Sequence, residues 1–285
     1  MIKYLGLAVS VSLIAGPSWA ADKIEDLSVE PAPLYDAEIR GSTDVIWEGF
    51  YLRVGAGYSW PIMDGIDYTL YGAPGASGTF DKHDLSDTWL IEGAAGYQIN
   101  RFLRTELSLS YNASADFNGS TSGSCGVAID CVSTDTASWS AYSLMASAYV
   151  DFGCWSGGAA AIIPFIGGGI GGSYVSYGNL NNQSCETGNP WNCDPSFSHE
   201  GQKNWRFSYQ LSAGLSYRFR CDLVGDVSYR YQHINGGEMF GYAAGGGPGY
   251  DRGIDIHSAV AGLRFYPGRD CSPEPYVPYE PIVYK

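Results

Sequence analysis

The sequence predicts an all-β protein: an eight-stranded antiparallel up-and-down transmembrane β-barrel with four long extracellular loops. Three observations predict it. Apolar and polar residues alternate at period two in eight segments. Those segments run about 10–14 residues, above the mode of about 5–6 for globular strands and enough for the about 9–11 that a tilted strand needs to cross a bilayer. The joins alternate between short and long, so one end of the sheet carries tight turns and the other carries loops.

The first strand shows the pattern plainly. Phe50, Leu52, Val54, Ala56, Tyr58 and Trp60 form one face, and Tyr51, Arg53, Gly55, Gly57 and Ser59 the other. The second sets Trp89, Ile91, Ala95 and Tyr97 against Leu90, Glu92, Ala94 and Gly96. In the third, Leu103, Thr105, Leu107, Leu109 and Tyr111 oppose Arg104, Glu106, Ser108 and Ser110. The fourth has Tyr142, Leu144, Ala146, Ala148 and Val150 outward, with Ser143, Met145, Ser147, Tyr149 and Asp151 inward. The fifth, around 165–174, is glycine-rich and leaves its facing open. The sixth runs from Trp205 to Phe219 with the odd-numbered residues apolar. Leu223, Val227, Tyr229 and Tyr231, then His257, Ala259, Ala261, Leu263 and Phe265, mark the outer faces of the last two. Short turns are expected near Asn100, at 153–158 and at 220–222, and long loops at about 61–87, 114–137, 176–204 and 234–253. Trp60, Trp89, Trp139 and Trp205 sit at the long-loop ends, where an interfacial girdle belongs.

Composition agrees. The chain has 38 Gly, 22 Tyr and 16% charged residues, against an average of about 25% charged. Aromatic and aliphatic residues are too plentiful for disorder. Residues 1–20 read as an export signal: Lys3 is the positive start, Leu5 to Ala15 the apolar stretch, and Ser18-Trp19-Ala20 the cleavage site. Lys3 is the one charged residue of that segment, so its removal moves the formal charge from −14 to −15. A chain this acidic, without a Lys/Arg-rich patch, is not expected to bind nucleic acid. Residues 21–46 are an acidic, proline-containing periplasmic linker, 47–267 the outer-membrane barrel, and 268–285 a Pro/Tyr-rich periplasmic tail.

An eight-stranded cylinder has room for side chains and little else. Arg53, Glu92, Arg104, Glu106, Arg206, Arg218, Asp226, Arg230 and Arg264 fall on the inner face and are expected to form a paired charge network that plugs the lumen. Cys125 and Cys131, and Cys185 and Cys193, lie close together in polar loop segments and are expected to form disulfides in an oxidising compartment. Cys154, Cys221 and Cys271 fall at the other end, one pair and one thiol with the pairing open.

No motif points to catalysis. His257 and Ser258 adjoin, but strand neighbours face opposite ways and cannot act as base and nucleophile. Asp81, Lys82, His83, Asp84 and Asp87 make an acidic loop patch without the ligand spacing of a calcium loop. The runs 167–172 and 245–249 lack the Gly-Lys-Ser/Thr ending of a phosphate loop. The expectation is therefore no cofactor, no metal and no enzyme. A structural barrel with surface-interaction loops leads, ahead of a narrow pore or haem-binding protein and of a rim-located hydrolase.

The segment Trp47-Glu48-Gly49-Phe50-Tyr51-Leu52-Arg53-Val54-Gly55-Ala56-Gly57-Tyr58-Ser59-Trp60 resembles the opening strand of the alphaproteobacterial outer-membrane β-barrel family, which includes surface antigens and hemin-binding proteins of rhizobia, Brucella and Bartonella. The acidic linker and the closing Gly262-Leu263-Arg264-Phe265 are similar too, so the likeness runs from about Ala21 to Phe265. It departs in the residues after Phe265 and in its seven cysteines. The resemblance implies an envelope-stabilising barrel among outer-membrane lipid and lipopolysaccharide, with loops that meet a host or extracellular ligand. Some members bind haem, but no ligand residue matches by position. It also implies that the mature start Ala21-Asp22 is a candidate for linkage to peptidoglycan through Ala21. Digested cell wall is expected to release the chain with a muropeptide on Ala21; an unmodified Ala21 amine in that fraction would remove the idea.

Overall fold

The computed structural model describes residues 48–69, 77–152, 162–243 and 246–269. The export signal, the linker with Ala21, the turn at 153–158 and the tail from 270 lie outside the described residues. Among them no helix is long and apolar enough to cross a membrane.

Among the described residues fifteen strands form one sheet. Eight are long: β1 (Gly49–Met63), β5 (Thr88–Gln98), β6 (Leu103–Ser120), β8 (Cys131–Asp151), β9 (Ile162–Tyr177), β13 (Lys203–Arg218), β14 (Leu223–Phe240) and β15 (Gly249–Phe265). Seven short ones lie between them: β2 (Ile66–Thr69), β3 (Ser77–Thr79), β4 (Lys82–Leu85), β7 (Ser122–Gly123), β10 (Leu180–Glu186), β11 (Asn189–Cys193) and β12 (Phe197–His199). Each long strand pairs antiparallel with the next, and β15 returns to pair with β1, Leu52 opposite Phe265 and Met63 opposite Ile254. The ring of ladders therefore has no free edge between long strands.

Alternation sets the two faces. Phe50, Val54, Ile91, Ile170, Leu211 and Val227 point outward and are 59–72% exposed. Leaving such side chains in water forgoes about 1.5–3 kcal/mol each, so this face calls for an apolar solvent. The inner faces are buried. On β9, whose facing was open, Ile163 and Phe165 point in and Ile166 and Ile170 out. Its glycines make room for β8: a Cβ on Gly167 would collide with the Tyr149 ring, and one on Gly171 with the backbone of Leu144. Large inner residues on one strand thus require glycine on its neighbour.

Two sequence expectations need correction. The loops expected at 114–137 and 234–253 are mostly strand, because β6 and β8 continue to Ser120 and from Cys131, while β14 and β15 continue to Phe240 and from Gly249. Their backbones stay laddered beyond the apolar band, and β2, β4, β7 and β10–β12 add pairs there. Second, Trp139 is not in an outer girdle: it is 1% exposed, inside the ring. Odd-numbered residues of β8 face inward along its whole length, and Trp139 follows that parity. Trp60, Trp89 and Trp205 do lie outside. On β6 a bulge between Asn112 and Ala115 switches the inward set from even to odd residues, carrying Phe117 into the interior.

Leu211 lies near the middle of β13 on the outer face. Leu211→Lys is expected to lower folding stability in lipid vesicles by about 2–4 kcal/mol, measured by denaturant titration; an unchanged midpoint would overturn the lipid-facing assignment.

Candidate functional site

The interior is layered. Toward the short-turn end lies a compact ion cluster. Arg53 reaches Glu92 at 2.5 Å, Glu106 at 3.5 Å and Asp226 at 3.6 Å. Arg230 binds the other oxygen of Glu92 at 2.6 Å. Arg264 grips Asp226 with two N–H groups at 2.7 and 2.8 Å and donates to Ser216 Oγ at 2.7 Å. Arg104 donates to Asp151 at 3.2 Å and lies over the Tyr149 and Phe165 rings at 4.2 and 4.6 Å. Tyr51 OH donates to Glu106 at 3.1 Å.

Four arginines (Arg53, Arg104, Arg230, Arg264) thus meet four carboxylates (Glu92, Glu106, Asp151, Asp226), all buried. The sum is neutral, and neutrality is what makes burial of eight charges tolerable. Each carboxylate comes from a different strand or a different height, so the cluster ties β1, β5, β6, β8, β14 and β15 together across the lumen.

Above it lies a hydroxyl and amide layer. Ser59 and Ser258 are 2.8 Å apart, Ser143 and Ser173 2.7 Å, and Gln232 donates to Ser143 at 2.9 Å. Above that, toward the long-loop end, the interior turns apolar: Met63, Ile66, Phe80, Phe117, Trp139, Val175, Ile234 and Phe240 pack in one cluster. A paired charge network was expected to plug the lumen; at this height apolar packing fills it instead. Met63, Ile66, Phe80, Phe117, Ile234 and Phe240 come from segments that the sequence reading left as loop.

Not every residue of the expected network joins the cluster. Arg206 sits higher, gripping Asp251 at 2.6 and 2.8 Å, with Tyr177 OH on the same carboxylate at 2.9 Å. Asp251 was missed because it fell in an expected loop; its signal was the inward parity of Gly249 and Asp251. Arg218 ends β13 and is half-buried at the rim rather than in the cluster. Asp151 was placed on the inner face without being counted among the charges.

Cys125 is bonded to Cys131, and Cys185 to Cys193, which also face each other in the ladder of β10 and β11. Cys221 is disulfide-bonded; Cys154 and Cys271 lie outside the described residues.

The histidines are separate. His257 and Ser258 face opposite ways, His257 against Tyr229 OH at 2.5 Å and Ser258 against Ser59 inside. His83 lies in β4 and His199 in β12, so neither is in a loop. Among the described residues one set of donor atoms lies close enough for a divalent ion: Asp64, His233 and Asp255. His233 already contacts Asp255 at 2.6 Å and stacks on Tyr209, an arrangement that an ion pair explains unaided.

A family model for the outer membrane protein beta-barrel domain matches residues 42–265. The chain belongs to this family. It is an outer-membrane protein. Relatives in Brucella suis biovar 1 and Brucella abortus, both uncharacterized proteins, are 31% identical over 253 residues, covering 76% of this chain and 84% of theirs. Among solved structures, Neisserial surface protein A is 16% identical with a TM-score of 0.42, covering 76% of this chain and 97% of that one. OprG from Pseudomonas aeruginosa is 10% identical with a TM-score of 0.43, covering 78% and 97%.

Arg53→Leu removes a cation that touches three carboxylates, Glu92, Glu106 and Asp226. Its cost is expected to be about 3–5 kcal/mol, read as a lower temperature for loss of the compact form on gels, with bilayer conductance little changed. A large conductance with unchanged heat resistance would refute a plugged lumen.

Proposed function

We propose that this outer-membrane protein is a structural barrel that supports envelope integrity and presents its long connections for surface interaction. In this reading the eight long strands form an up-and-down transmembrane barrel. The four connections β1–β5, β6–β8, β9–β13 and β14–β15 face outward, and both chain ends face the periplasm. The lumen carries the reading. A neutral ion cluster below and an apolar plug above leave side chains where a pore would need water, so support rather than transport is the role that fits. His257 and Ser258 face opposite ways, so this pair lends a rim hydrolase no support.

The opening-strand resemblance is the ground for placing the chain among the alphaproteobacterial surface-antigen barrels, and the Brucella relatives support an alphaproteobacterial setting. With that placement go an export signal over 1–20, a linker over 21–46 with Ala21 as the candidate peptidoglycan anchor, a barrel over 47–267 and a periplasmic tail over 268–285. Outer-membrane lipid and lipopolysaccharide are the partners of the apolar belt, and a host or extracellular ligand that of the outer end. Disulfides Cys125–Cys131 and Cys185–Cys193 stiffen the hairpins there, each limiting the unfolded chain by about 2–3 kcal/mol on a chain-entropy account.

An epitope inserted after Gly188, in the turn between β10 and β11, is expected to be labelled on intact cells. The same epitope after Asn100, in a short turn, is expected to be labelled only after permeabilisation. The reverse pattern would invert the orientation and sink the surface role.

A further inference from the structure

The long-loop end holds a feature that support alone does not require. A cavity of about 440 Å³ opens above the apolar plug, within the usual size range for small-molecule sites (about 300–1,000 Å³). Phe80 and Phe240 belong to the plug beneath it, and Tyr68 and Phe197 join them in the lining. Tyr68 meets Phe80 edge to face at 5.6 Å and Phe80 meets Phe240 at 6.3 Å. The rings therefore hold one another in place before any ligand arrives.

The polar part of the lining is one-sided in chemistry. Asp135 and Asp194 contribute carboxylates, while no lysine or arginine lines the cavity among the described residues. Asp135 is 1% exposed, and it lies on the outer continuation of β8, beyond the apolar band. Ser133 Oγ donates to one of its oxygens and Asn182 to the other at 2.6 Å. These two bonds use half of the roughly four acceptor positions a carboxylate offers. Burial pushes the Asp135 carboxyl above its ordinary range, against the pull of its Ser133 and Asn182 hydrogen bonds and of His199. His199, 5% exposed, contacts the Gly241 carbonyl through Nδ1 at 3.0 Å. A carbonyl only accepts, so Nδ1–H donates this bond.

Aromatic faces with carboxylates, and no lysine or arginine among the described lining residues, are the chemistry that recognises an ammonium group. The ring faces attract positive charge and the carboxylate complements it. An anion would meet two carboxylates here, and a purely apolar guest would leave the remaining acceptor positions of Asp135 unused. We infer that the outer mouth of this barrel is a binding cup for a small organic ammonium ion, held by the aromatic floor and Asp135. Its biological use rests on the outward orientation proposed above; its chemistry does not.

The test uses the mature chain, Ala21–Lys285, refolded in detergent and titrated calorimetrically with choline. Its neutral isostere 3,3-dimethylbutan-1-ol and glucose serve as comparisons. Choline is expected to saturate one site, with the isostere at least about tenfold weaker, as loss of a desolvated cation–π contact predicts. Asp135→Asn is expected to weaken choline about tenfold while the compact gel form is kept. Phe197→Ala, at a half-buried ring, does the same should Asp135→Asn fail to fold. Equal binding of choline and isostere, tighter binding of glucose, or no saturable choline binding would each overturn the cup. Saturable choline binding together with an inverted epitope pattern would keep the cup and remove the outward orientation instead.

Discussion

A backbone amide placed in hydrocarbon has nowhere to turn except to another part of the chain. That constraint organises this protein. Unpaired groups there cost several kcal/mol each, which leaves helices or closed sheets as solutions. This chain takes the second route: the ladder from β1 around to β15 and back to β1 gives each long strand two neighbours. Closure then dictates the rest. Outer side chains must be apolar, and inner ones must fill a cylinder too narrow to hold much water.

Filling that cylinder takes two solutions at two heights. Low in the lumen, arginine and carboxylate side chains reach across the axis and cancel one another. Higher up, aromatic and aliphatic residues pack as they would in a soluble core. The change follows strand geometry: beyond the apolar belt the strands carry on, so their inner faces enclose a volume with hydrated loops above it. Packing there keeps the extensions laddered, and the two hairpin disulfides reinforce them. The outer end is accordingly a continuation of the barrel rather than a set of free loops.

The binding cup grows from this arrangement. A rigid apolar floor at the mouth, with acceptor groups around it, exists because the plug stops short of the hairpin tips. The proposed support and the proposed recognition would both follow from one packing choice. The ion cluster holds the strands in register from below, and the plug sets the floor of the cup above.

Much of the barrel could be read directly from the chain. Period-two alternation in segments such as 50–60 and 205–219 identifies strands with one apolar face, because a pleated backbone turns every second side chain the same way. Parity also placed Arg53, Glu92, Arg104, Glu106, Asp226, Arg230 and Arg264 on the inner face. Other features needed the folded molecule. The bulge after Asn112 has no signature in residue type, yet it reverses the facing of everything beyond it. Trp139 looked interfacial from its residue type, whereas its strand's parity takes it inside. The apolar plug and Asp251 were hidden because their segments resembled loops, rich in Gly, Asn and Ser. Which arginine meets which carboxylate depends on shear around the ring, and the cup on strands far apart in sequence. Local order is written in the alternation of neighbouring residues; contacts across the lumen arise only when the cylinder closes.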